Sequence, residues 1–189
     1  FDNTEHGLNP KYQLPPFINW LRESLILDAD GKSISDFGLC MAKAYTITPQ
    51  SVWEIIFVGL CENSEICSWF HSTINFNQSY SRDEIDIILQ DSYPDLKDRT
   101  LRNPFNSLLN TFKESPLGST IPVGVLSKDK NKVILTRYPH SDISLVAVAY
   151  SLFRYAERQN RYMLTVSEFY DENQKEGIYR QFGVNRDSF

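Results

Sequence analysis

The chain has 189 residues, 41% of them hydrophobic and 13% aromatic, and a formal charge of −5. That much apolar material suffices for a core and excludes a disordered chain, while the acidic balance excludes uniform affinity for polyanions but leaves room for a local basic face. Three cysteines with no paired spacing (Cys40, Cys61, Cys67) do not make a disulfide framework, and no apolar run approaches the roughly 18 residues that span a bilayer.

Residues 1–33 read as a polar arm, "FDNTEHGLNPKYQLPP", followed by a first helix with Phe17, Trp20, Leu21 and Leu25 at helical spacing. Residues 34–80 read as a helical core segment. It starts with a helix over 34–45. Thr48 as N-cap and Pro49 at the first helical position then open a helix that is apolar nearly all round and therefore buried. "SEICSWFHST" is a short helix behind it. At Ser81 and Glu84 a capping box coincides with a hydrophobic staple between Tyr80 and Ile85, with Ile85, Ile88 and Leu89 facing inward.

The next helix is capped either by Thr100 or by Asn103 with Pro104 behind it, and Phe105, Leu108, Leu109 and Phe112 form its inner stripe. Pro116 and Gly118 end it. Two β-branched runs, 121–126 and 132–138, joined by "SKDKN", predict an antiparallel hairpin. Residues 81–140 thus read as a winged helix-turn-helix unit. Residues 141–189 read as a helical unit cut short, with a long helix from "SDISLVAVAYSLFRYAERQ", a capping box at Thr165 and Glu168 with Leu164 and Phe169 as its staple, and a further helix starting near Asn185. The predicted fold class is mainly α, a helical bundle with a winged helix-turn-helix and one small antiparallel β-hairpin. The ends of the chain read as those of a fragment of a longer protein.

Between Lys97 and Arg137 eight basic residues face three acids, Asp98, Glu114 and Asp129, so this segment carries +5 inside a chain of −5. Sequence readout in a DNA groove needs forked or amide donors, and phosphate contact needs mobile cations. Arg99, Arg102, Asn103, Asn106, Asn110 and Lys113 on the helix, with Lys128, Lys130, Lys132 and Arg137 on the hairpin, fit those roles. Cys67 and His71, four residues apart with Cys61 upstream, have part of a metal-site spacing but lack a fourth ligand, and buried free thiols account for them. His6 and His140 lie in polar loops and read as surface residues. No phosphate-cradling glycine loop or nucleophile elbow occurs, so the chain shows no catalytic constellation, and no cofactor or metal is expected.

The segments "SVWEIIFVGLCENSEICSWF", "TLRNPFNSLLNTFKESPLG" and "YSLFRYAERQNRYMLTVSEFYDENQKEGIYRQFGVNRDSF" resemble the C-terminal region of bacterial phosphoadenosine-phosphosulfate-reductase-like proteins. They also resemble a related family associated with DNA phosphorothioation and phage defence. The resemblance implies an accessory module that presents double-stranded DNA, or partner subunits, to an enzyme whose sulfur chemistry lies in an upstream domain. The cysteines do not match an iron-sulfur pattern, so no cluster is implied. Two functions are therefore expected of a cytoplasmic, membrane-free chain: a DNA-binding or DNA-positioning domain, or a protein-interaction module that docks partner subunits without nucleic acid.

Overall fold

The computed structural model describes residues 9, 11, 13–130, 132–171, 173, 174 and 176–185. His6 and the helix expected after Asn185 lie outside them. A helix that is apolar on every side has to be surrounded, and α3 (Pro49–Asn63) is: Val52, Ile55, Phe57, Val58, Leu60 and Cys61 are all buried. Against it pack α1 (Leu14–Glu23), α2 (Asp36–Tyr45), α4 (Glu65–Thr73), α7 (Leu145–Arg158) and the short α9 (Ile178–Phe182). The one-turn α8 (Val166–Phe169) is capped by the Thr165 hydroxyl, and the Glu168 carboxylate pairs with Arg161 instead of closing a full capping box. Helix α1 begins earlier than the sequence pattern suggested, because Pro15 and Pro16 occupy its first turn, where a missing N–H costs nothing.

The middle of the chain adds β1 (Ser79–Ser81), α5 (Arg82–Ser92), α6 (Asp98–Glu114), β2 (Val125–Asp129) and β3 (Lys132–Thr136). The three strands form one antiparallel sheet in the order β1-β3-β2. The expected two-stranded hairpin is therefore a three-stranded sheet. Its extra member, β1, is too short to show alternation, and it ends directly at the Ser81 capping box of α5, which forms as expected.

The hairpin differs from expectation at both ends. Residues 121–124 are not strand: Pro122 has no N–H for a ladder, and Pro122–Gly124 turns as a 3-10 helix. Ser127, Lys128 and Asp129 belong to β2, Asp129 pairs with Lys132, and Lys130 takes a left-handed φ of 44° at the turn. Helix α6 starts at Asp98, ahead of both proposed caps, because Leu101 adds a buried anchor one turn before Phe105. Pro104 is inside the helix. The carbonyl it leaves without a donor belongs to Thr100, an exposed residue. Phe112 seats this helix on the hairpin. A Cβ at Gly124 would lie 2.4 Å from its ring, so only glycine permits that approach.

Arg137, expected on the hairpin surface, is fully buried. Its Nη1 donates to the carbonyls of His71 (3.0 Å) and Ile74 (2.6 Å) at the end of α4, and its Nη2 to those of Arg180 (2.7 Å) and Gln181 (3.2 Å) in α9. The guanidinium lies 4.0 Å from the centre of the Phe76 ring and 4.9 Å from that of Phe70. Burial pulls its pKa down to about 9, which still leaves it charged at neutral pH. A cation thus satisfies the carbonyl ends of two helices whose dipoles favour it there. Arg137→Met should lower the unfolding free energy by about 3 kcal/mol or more, since four carbonyls lose their donors, and Arg137→Lys should lose an intermediate amount because an ammonium cannot fork. Urea unfolding measures both, and an unchanged midpoint for Arg137→Met would contradict the clamp.

Candidate nucleic-acid interface

Helix α6 turns about 100° per residue, so its residues sort by face. Leu101, Phe105, Leu108 and Phe112 are buried on one side. Arg99, Arg102, Asn103, Asn106, Asn110 and Lys113 are all exposed, on the far side, within an arc of about 100°. The six helix positions expected at a groove therefore share one stripe, and that stripe carries no acid. Lys128, Lys130 and Lys132 are exposed on the hairpin. Arg137 is withdrawn from this set: it is fully buried, and its Nη1 and Nη2 donors are spent on core carbonyls.

The electrostatics differ from a count along the chain, because α5 lies beside α6 and brings carboxylates. Arg82 Nη1 donates to Asn106 Oδ1 at 2.7 Å, and Arg82 Nε pairs with Asp86 at 2.9 Å. Arg102 pairs with Asp86 at 3.4 Å and with Asp98 at 3.8 Å. Lys132 Nζ meets Asp83 at 2.9 Å, which raises the lysine pKa and lowers that of the carboxyl. Lys113 pairs with Glu114. The first turn of α5 thus sits between the hairpin and the middle of α6. Among the described residues, Lys97, Arg99, Lys128 and Lys130 carry charge with no carboxylate partner. Sequence reasoning missed Arg82, although Arg82 and Asp86, four apart on a predicted helix, were its legible sign. The charge tally missed Asp83 and Asp86 because it ran along the chain and not across the packing.

A cleft of about 390 Å³ adjoins the other flank of α6, lined by Trp20, Ile66, Tyr93, Leu96 and Pro104. Elsewhere, a serine, a histidine and a carboxylate converge without catalytic geometry. His140, expected at the surface, is buried with Nε2 2.8 Å from Glu54 Oε1. Ser144 gives both its hydroxyl and its backbone N–H to the other Glu54 oxygen. The carboxylate stands between serine and histidine, so the imidazole cannot take the hydroxyl proton. Burial would raise the Glu54 carboxyl, but hydrogen bonds from His140, Ser144 and Gln50 outweigh it and hold the pKa below the ordinary range. This network pins the start of α7 to α3.

Cys61 and Cys67 are buried free thiols whose pKa values burial pushes up, and Cys40 is exposed. Among the described residues no three His, Cys, Asp or Glu side chains group closely enough for a metal. His71 is buried, its Nδ1 has no partner, and burial together with the nearby Arg137 lowers its pKa to about 3. Among the described residues, no helix is long and apolar enough to cross a membrane.

Compared with protein-family models, curated proteins and solved structures, the chain matches none.

The His71 environment sets an acid limit. Unfolded, its imidazole takes up a proton near 6.5; folded, only near 3. The unfolded state binds the extra proton in that window, so stability is complete above pH 6.5 and falls as the pH drops, by up to about 1.4 kcal/mol per unit. Unfolding free energies at pH 7.5, 6 and 5 should fall along that slope, and His71→Gln should flatten it. A wild-type protein equally stable at pH 7.5 and pH 5 would refute the assignment.

Proposed function

We propose that the winged helix-turn-helix unit read over residues 81–140, completed by α4 and β1 ahead of it, binds or positions double-stranded DNA. The supporting observation is the order α4–β1–α5–α6–β2–β3, with β1 paired to β3 and β3 to β2. In that arrangement α6 is the reading helix and the β2–β3 hairpin is the wing. Arg99, Arg102, Asn103 and Asn106 occupy the N-terminal half of α6, where such helices meet base edges. Arginine forks suit guanine and asparagine amides suit adenine. Lys128 and Lys130, without carboxylate partners, are the wing's phosphate contacts.

The α5 carboxylates temper this reading. A phosphate has to displace Asp86 from Arg102 and Asp83 from Lys132, so part of each contact's energy goes into breaking an ion pair. Binding is then weak at physiological salt and steeply salt-dependent. The larger setting, a reductase-like sulfur-transfer or DNA-modification protein in a reducing cytoplasm, is proposed on the strength of the sequence resemblance and the free thiols. A second reading, docking of partner subunits without nucleic acid, is favoured by the exposed apolar outer face of α7, where Leu145, Val146 and Phe153 face solvent.

Replacing Lys128, Lys130 and Lys132 together by Ala should weaken binding to any duplex and reduce the salt slope by about 2 to 3. Asn103→Ala with Asn106→Ala should instead reduce discrimination between sequences more than affinity. Gel shifts at low and moderate salt measure both effects. Wild-type protein that retards no duplex at low salt would leave the docking reading in place of this one.

A further inference from the structure

The outer face of α7 has an unusual composition for a solvent-exposed helix face. Leu145 is 75% exposed, Val146 61%, Phe153 62% and Leu152 39%, and Ala149 is also exposed. At about 100° per residue, Leu145, Ala149, Leu152 and Ala156 run straight down this face, with Val146 and Phe153 beside them. The inward face is separately satisfied: Ala147, Ser151 and Tyr155 are buried, and Arg154 turns away to Glu62. The spacing of four, three and four along the line is that of a helix-pairing seam.

We infer that this face pairs with the same face of a second copy of the chain, the two α7 helices running antiparallel about a twofold axis between Ala149 and Leu152. Three features select that occupant. Size is self-complementary: antiparallel pairing sets Leu145 of one copy against Ala156 of the other, and Ala149 against Leu152, so each large side chain meets a small one. A parallel pair would set leucine on leucine and alanine on alanine, leaving gaps. Charge is complementary as well. Glu157, exposed at one end of the stripe and bonded within its own helix to Arg154, comes beside the N-terminus of the second copy's α7, whose dipole favours a carboxylate there. Area sets the strength: the face presents on the order of 400 Å² of apolar surface per copy, about half that of a standard interface, which specifies a weak, concentration-dependent dimer. The inference is independent of the nucleic-acid reading, because α7 lies outside the α5–α6–hairpin surface.

Sedimentation velocity of the full chain, from about 5 to about 200 µM, should show a monomer–dimer equilibrium, and Ala149→Arg should weaken it by about a hundredfold. The melting temperature of that variant should stay unchanged, since the position faces solvent in the monomer. Orientation is read separately by oxidation in a Cys40→Ser background. Leu145→Cys combined with Ala156→Cys should give a disulfide-linked dimer. Within one helix these positions are about 16 Å apart and cannot bridge. A chain that stays monomeric throughout, a dimer that Ala149→Arg leaves intact, or cross-linking by Leu145→Cys alone would overturn the proposal.

Discussion

Arg137 stands at the end of β3 with four backbone carbonyls around its guanidinium, two phenyl rings against it and, among the described residues, no carboxylate paired with it. Few buried charges are held this way, because desolvating a cation costs several kcal/mol unless nearly all its donors are satisfied. Two helices end at this point, and each leaves carbonyls that have lost their intrahelical partners. One fork-shaped cation answers both sets, while the His140 N–H takes the Phe182 carbonyl next to them. The clamp fixes the C-terminus of α4, the far end of the sheet and α9 relative to one another. The position of β3, and through it the hairpin and α6, follows from it.

What the clamp holds in place is a helix with one strongly apolar face and, on the far side, a polar stripe flanked by acids only at the helix ends. The polar stripe owes its exposure to the depth at which Leu101, Phe105, Leu108 and Phe112 are set. Its charge is a different matter. Asp83, which stabilises the first turn of α5 by complementing its dipole, and Asp86, which pairs with Arg82 one turn back, also neutralise Lys132 and Arg102 across the packing. The same carboxylates therefore serve the fold and dampen the surface. On the proposed nucleic-acid reading, a ligand with phosphates would compete for those cations, which would make ionic strength the variable that governs its binding.

Much of this was legible from side-chain periodicity and capping. The all-apolar run of α3, the Ser81–Glu84 box and the inner stripe of α6 each carry a local signal that the structure obeys. The errors are non-local. Nothing in "LTRYP" distinguishes Arg137 from the exposed lysines of the hairpin, because what buries it is the arrival of α4 and α9 from distant parts of the chain. His140 is in the same position, drawn inward by Glu54, which sits 86 residues earlier in a helix read only for its apolar content. Strand β1 has three residues and gains its identity from β3 alone. The six α6 positions were found together because they share one helix, whereas Asp83 and Asp86, the acids that the charge tally left out, lie on another. The bare outer face of α7 was readable as a wide apolar stripe, but only packing tells which part of that stripe the core uses.

The central claim is that the α6 stripe and the hairpin tip form one surface that a polyanion occupies. Backbone amide shifts of the isotope-labelled chain, followed by NMR during titration with a short duplex at low salt, address it directly. The account predicts that the shifts concentrate at Arg99, Asn103, Asn106, Asn110, Lys128 and Lys130 and vanish as salt is added. Shifts confined to α7 or α2, or a spectrum the duplex leaves untouched, would contradict it.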